Sequence, residues 1–197
     1  MPYKFEFYIN DSLFFSANLQ CQQCIGTTQK GTECKRKVCI GTPYCFQHLA
    51  KAKYLKIATS TVPNSGKGLF AYNPTQRSNA TIFQPETVIC EYDGEIIDLR
   101  TLQKRYDNYT APYTVQTTKN QYIDDALQRS IGSLANHKSI NQGANAVFMT
   151  KRRRGKPTTV QLVAIRPIKN NDEIFVDYSQ DYIFDEPTQH RTVYVNK

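Results

Sequence analysis

Five of the six cysteines in this chain lie between Cys21 and Cys45, in a basic segment with too few apolar side chains to bury a core of its own. A segment like this folds only if something crosslinks it. Cys24, Cys34, Cys45 and His48 are separated by nine, ten and two residues. Three thiolates and one imidazole make a complete tetrahedral set for zinc, and the closing Cys-x-x-His brings two ligands to one metal within a helical turn. Metal-binding free energy then stands in for the missing core. Cys21 and Cys39 exceed the four-ligand requirement: either Cys21 replaces Cys24 in the set, or the extra thiols are bystanders. Cys90 stands alone and reads as a buried structural thiol.

The 197 residues contain no apolar run near the roughly 20 needed to cross a bilayer, so no membrane partner is expected. The start "MPYKFEFYIN" lacks the apolar stretch of a secretory signal, which points to an intracellular protein. In a reducing compartment clustered cysteines hold metal rather than disulfides. The formal charge of +8 is uneven, for residues 1–56 carry eight Lys or Arg against three acids. A basic head on a nearly balanced body fits an anionic partner such as nucleic acid.

Tyr3, Phe5, Phe7 and Ile9 alternate with polar residues, then Asn10-Asp11-Ser12 breaks the pattern before Leu13, Phe14 and Phe15, which predicts a strand, a turn and possible pairing as a hairpin. "LAKAKYLK" reads as a short basic helix or connector, and the domain boundary is placed there. From Leu55 short strands alternate with turns, interrupted by one helical patch at Leu99, Leu102, Tyr106 and Tyr109. "NAVFMT" and "TTVQLVAI" flank the basic tip Lys151, Arg152, Arg153, Arg154 and Lys156 and predict a hairpin. The last strand, "DEIFVDYSQDY", should alternate Ile174 and Val176 with Phe175 and Asp177.

Four motifs occur in order: Gly66-Lys67-Gly68, Glu91-Tyr92-Asp93-Gly94-Glu95, Asn136-His137 with a later Asn145-Ala146, and Asp172-Glu173-Ile174 running to Asp177-Tyr178. That order, over roughly Leu55 to Tyr182, resembles the SET-domain family of protein lysine methyltransferases. The cysteine spacing is similar to the plant WRC-type zinc motif, which implies nuclear work, with Lys35, Arg36 and Lys37 reaching phosphates.

The SET resemblance implies a mainly β (α+β) chain: a SET-like fold of small β-sheets with a knot-like C-terminal crossing, preceded by a small zinc-binding module. The expected division is 1–54 for the N-terminal segment with the zinc module, 55–182 for the methyltransferase domain and 183–197 for a tail. S-adenosylmethionine would bind near Lys67 and Gly68 beside Asn136 and His137, and a substrate lysine, of a histone or another protein, would enter from the opposite face. Tyr178 would lie beside the transferring methyl group, Tyr92 would line the same channel, and Tyr182 would form its wall. His137 would position rather than transfer protons, with Glu173 and Asp177 as structural hydrogen-bond partners. The expected setting is nuclear or chromatin-associated, with basic segments gripping nucleosomal DNA.

The chain departs from the family in several places. Ser133 and Leu134 stand where Arg-Phe is usual, Lys138-Ser139 replaces Ser-Cys, and Asn145 comes late enough that Asn141 rivals it. No cysteine triplet follows Tyr178, so Tyr182, Phe184 and Tyr194 would have to close the channel. A catalytically weak or inactive regulatory module that binds chromatin or nucleic acid is the competing expectation.

Overall fold

The computed structural model describes residues 3–39, 41–152, 158–178 and 187–194. The predicted N-terminal hairpin is present as β1 (Tyr3–Ile9) and β2 (Ser12–Asn18). Asn10 and Asp11 turn it with φ of 47° and 60°, a conformation their short polar side chains tolerate. The cysteine segment carries two short strands, β3 (Gln22–Gln23) and β4 (Lys37–Val38), then helix α1 (Phe46–Lys53). Tyr54 closes that helix in the left-handed region. Leu49 of α1 is fully buried in the main core, so the helix seats the cysteine segment on the body.

Strands β5 (Leu55–Thr59) and β6 (Lys67–Ala71) form an antiparallel hairpin around the glycine-rich turn. β7 (Thr81–Phe83), β8 (Val88–Tyr92) and β9 (Glu95–Asp98) follow. The helical patch is α2 (Leu99–Tyr106), capped where the Asp98 carboxylate accepts from the N–H of Thr101. Tyr106 is fully buried, meets Phe7 edge-on at 5.1 Å and donates its hydroxyl to Asp124. The buried Asp124 is also paired with Arg105 at 2.7 Å, so its charge is compensated twice.

β10 (Thr114–Thr118) and β11 (Gln121–Asp124) extend a small sheet in the order β10-β11-β9. β12 (Asn136–His137), β13 (Ala146–Lys151), β14 (Thr159–Ala164), β15 (Ile168–Lys169) and β16 (Phe175–Val176) complete the body. The hairpin predicted around the basic tip is β13 with β14, paired from Ala146↔Ala164 to Lys151↔Thr159. Arg153, Arg154 and Lys156 of that tip lie outside the described residues.

The largest sheet has the order β12-β16-β13-β14-β8. β16 lies parallel to β12 on one side and to β13 on the other, and the segment 138–145 that joins those two strands must bridge across it. This is the knot-like crossing implied by the family resemblance. Ile174, Phe175 and Val176 are all buried instead of alternating, because a strand enclosed on both edges and both faces has no solvent side.

β17 (Thr188–Tyr194) pairs antiparallel with β1 over Tyr3↔Tyr194 to Ile9↔Thr188. The segment set apart as a tail therefore shares a sheet with the N-terminal hairpin. Phe5 and Phe7 of that hairpin are buried against Tyr106, Leu19 and Ala126 in a second core.

Of the two readings for the surplus cysteines, the structure favours bystanders to the ligand set, but paired with each other and not free as expected of a reducing compartment. Cys21 and Cys39 are joined to each other in a disulfide, so neither belongs to the ligand set. The antiparallel pairing of β3 with β4 brings the flanking residues together, a proximity that spacing alone does not reveal.

Candidate active site

Glu173 organises the centre of the site. Its carboxylate accepts from Ser60 Oγ (2.7 Å), from Thr61 N and Oγ1 (2.6 Å each) and from Asn136 Nδ2 (3.2 Å). Burial disfavours its ionised form, but the donors from Thr61 and Ser60 outweigh that and hold the carboxyl below its ordinary range. The structural role expected for Glu173 matches these contacts.

Gly68 packs directly against this carboxylate. A Cβ there would lie 2.1 Å from Glu173 Oε1 and 3.2 Å from Asn136 Nδ2, so only glycine admits both. Gly66 and Lys67, rather than Gly68, line the cavity in front of the turn. Lys67 contributes its carbonyl as well, accepting from Asn136 Nδ2 at 3.1 Å.

Asn136 and His137 form the short strand β12. His137 Nδ1 accepts from the backbone N–H of Tyr178 at 3.1 Å, which holds the ring as a positioning group for the end of β16. Asn145 fastens the other side of that strand, donating to Glu173 O at 2.8 Å and accepting from Phe175 N at 2.9 Å. Asn141, its rival in the sequence, lies within the short 3-10 turn Ile140–Gln142. Asp177 accepts from the N–H of Ile140 at 3.0 Å, bracing the bridging segment.

Tyr178 donates its hydroxyl to the carbonyl of Ala135 at 2.7 Å. It stands where two cavities meet, since Tyr178, Ser133 and Pro112 line both. The larger, of about 1020 Å³, is bordered by Gly66, Lys67, Asn136 and His137. No Asp or Glu lines it, while Lys67, Arg129 and Lys138 do. Its size and its side chains can accommodate S-adenosylmethionine, which Asn136, His137 and the Gly66–Lys67 segment could hold.

The smaller cavity, of about 480 Å³, is walled by Tyr92, Phe148, Val115, Leu102 and Tyr122. Tyr92 is 4% exposed and meets Phe148 edge-on at 5.0 Å. Burial pushes the Tyr92 phenol well above its usual range, with Asp125 adding to the shift, so it stays a neutral donor. Thr114 also borders this cavity, and its hydroxyl is buried without a partner among the described residues. Tyr182 and Phe184 lie outside the described residues.

Away from this site, the Cys24, Cys34, Cys45 and His48 ligand atoms all lie within 4.8 Å of one another. Cys34 Sγ is 4.0 Å from Cys45 Sγ, and His48 Nδ1 is 3.2 Å from Cys24 Sγ and 3.5 Å from Cys45 Sγ. A tetrahedral zinc with bonds of about 2.3 Å to sulfur requires edges of roughly 3.8 Å, close to the separations found. Burial raises the Cys45 thiol, but the N–H of His48, the Arg36 guanidinium and the N–H of Gln47 outweigh it and bring it down to about 6. These donors favour the thiolate that a metal needs.

Phe148, Arg129, Tyr113, His190 and Thr192 also line the two cavities and were not singled out from the sequence. The apolar strand "NAVFMT" could have pointed to Phe148 as a wall residue. Nothing local marks His190 or Thr192, which reach the larger cavity through the pairing of β17 with β1.

A family model for the SET domain matches residues 66–179. Over 173 residues, 83% of the chain, the sequence is 27% identical to a Debaryomyces hansenii protein named histone-lysine N-methyltransferase, H3 lysine-36 specific. It is 24% identical over 178 residues to the variant-silencing SET domain-containing protein of Plasmodium falciparum. The chain spans 22% and 6% of the lengths of these two relatives. Among solved structures, ctPRC2 in an autoinhibited conformation bound to S-adenosylmethionine aligns with a TM-score of 0.52 at 19% identity, covering 66% of this chain and 16% of that one. At that identity the likeness is one of fold.

Proposed function

This chain belongs to the SET-domain family, and from that premise we propose that it is an S-adenosylmethionine-dependent protein lysine N-methyltransferase acting on histone tails. The observation that carries the reading is the position of Tyr178, at the junction of a large cavity lined by cations without acids and a small aromatic one. A methyl donor and a lysine approaching from opposite faces would meet there in line. The names of relatives from Debaryomyces hansenii and Cryptococcus neoformans, both H3 lysine-36 specific, support a histone substrate.

S-adenosylmethionine, when bound, supplies an electrophilic methyl group on a sulfonium. The remaining task falls to the protein: to receive a lysine whose pKa is near 10.4 in water and present it as the neutral amine. Tyr92, Phe148 and Val115 disfavour the ammonium by desolvation. Tyr178, anchored through Ala135 and His137, presents its oxygen as an acceptor that orients the amine. The unpartnered Thr114 hydroxyl is suited to a polar group of the bound peptide. Tyr182 is the proposed far wall of the channel.

The Cys3His set is proposed to hold structural zinc, and the exposed Lys30, Lys35, Arg36 and Lys37 around it to meet phosphates of nucleosomal DNA. A nuclear, chromatin-associated setting follows from that reading. Ser133 and Leu134, in place of Arg-Phe, keep a non-methylating module as the rival. The test is methyl transfer to histones and to a lysine-rich control protein, read by mass spectrometry beside direct binding of S-adenosylmethionine. Failure to bind the cofactor overturns the enzyme reading in favour of that module.

A further inference from the structure

Arg129 is 8% exposed, sits in the left-handed region at φ 51°, and lines the larger cavity. Its guanidinium lies over two aromatic rings, with Cζ 3.8 Å from the Tyr113 ring centroid and 5.2 Å from that of Phe5. Nε donates to Ala126 O and Nη2 to Thr192 Oγ1, each at 3.1 Å. Of its five N–H groups, the other three have no protein acceptor among the described residues. No carboxylate pairs with it either, for the ion pairs among those residues both belong to Arg105. Asp125, the nearest acid in sequence, gives its oxygens to Ser130 N and Oγ.

Burying a cation without a directly paired anion is costly, and aromatic faces compensate only part of that cost. Yet the structure builds this one deliberately. The loop bearing Arg129 is gripped from the cysteine module, where Gln20 N donates to Leu127 O at 3.0 Å and Gly41 N donates to Arg129 O. Strand β17 supplies Thr192 from in front. The buried Asp125 acts on Arg129 only at a distance, its oxygens being taken by Ser130, and no acid lines the cavity, so a directly bonded counter-charge is left for a ligand to supply.

We propose that Arg129, held by Thr192 of β17 and stacked on Tyr113, binds the α-carboxylate of S-adenosylmethionine. The inference rests on the cofactor assignment above and deepens it. It gives the terminal sheet a direct part in the cofactor site, and it puts a cation four residues before Ser133, which stands where the family usually has arginine.

The test compares binding of S-adenosylmethionine with its decarboxylated analogue, which keeps the sulfonium and adenosine but lacks the carboxylate, by calorimetry on the full chain. The wild-type protein should prefer the intact cofactor by about 10- to 100-fold, the range of a charge-assisted hydrogen bond. Arg129→Met should weaken S-adenosylmethionine to the level of the analogue and leave analogue binding within about twofold. Equal wild-type affinities, or an equal loss for both ligands in Arg129→Met, overturn the proposal while leaving the cofactor assignment intact. A wild-type protein that binds neither ligand overturns the assignment itself and the proposal with it. Should Arg129→Met not fold, Arg129→Lys and Thr192→Val carry the same comparison, and discrimination unchanged in both counts against it.

Discussion

The backbone N–H of Tyr178 donates to Nδ1 of His137 at 3.1 Å, across the parallel pairing of β12 with β16. Forty-one residues separate these partners in the chain. Their contact fixes where the phenol of Tyr178 stands between the two cavities, and it turns a histidine beside the proposed methyl-transfer centre into a structural acceptor.

Replacing Tyr178 by Phe should lower the methylation rate by about 100-fold, the scale seen when one preorganised polar group is removed from a reacting centre. Calorimetric affinity for S-adenosylmethionine should stay within about twofold, because the ring and backbone contacts remain. Mass spectrometry showing undiminished transfer would defeat the catalytic assignment.

Glu173→Gln should destabilise the fold by about 2 kcal/mol, since several donors converge on the charged carboxylate. The carboxyl is held below its ordinary value, so the folded state binds its proton more weakly than the unfolded chain does. Its contribution is therefore complete above the unfolded carboxylate range, near 4.5, and is lost as the pH falls through the lowered folded value. Denaturant titrations from pH 7 to 3 should show a shallower acid loss in the variant than in the wild type.

Gly68→Ala should cost about 1–3 kcal/mol, because the new methyl would overlap Glu173 Oε1 at 2.1 Å. The strain should also weaken cofactor binding through Asn136, which is bonded to the same carboxylate. An unchanged melting temperature would show that the strand relaxes without penalty.

One zinc per chain should be found by elemental analysis, and His48→Ala should remove it. Loss of metal should destabilise the protein by more than about 4 kcal/mol, because α1 follows Cys45 directly and carries Leu49 into the main core. Full zinc content in His48→Ala would rule out the Cys3His set. Since Cys21 and Cys39 are bonded to each other, mutating both should leave the zinc in place.

Much of this arrangement was legible because its signals are local. Spacing marked Cys24, Cys34, Cys45 and His48, alternation marked β1, two apolar runs flanking a basic loop marked the β13/β14 hairpin, and three- and four-residue periodicity marked α2. The ordered motifs placed Tyr92, Asn136, His137 and Tyr178 at one site, and these residues line the two cavities that meet there. Gly68 was attached to the cofactor by its motif, yet it packs against Glu173. A glycine needed for the close approach of a side chain is indistinguishable in sequence from one needed for a ligand.

The remainder depends on partners far apart along the chain. Nothing near Thr192 or His190 points to a cavity; β17 brings them there by pairing with β1 at the opposite terminus. The disulfide of Cys21 with Cys39 and the placing of the Arg129 guanidinium at the cavity, with no ion pair among the described residues, are likewise products of tertiary packing. Local pattern by itself determined which residues could form elements and supply the chemistry. Only the fold decided which would share a cavity, because burial and charge compensation depend on neighbours that sequence distance does not encode.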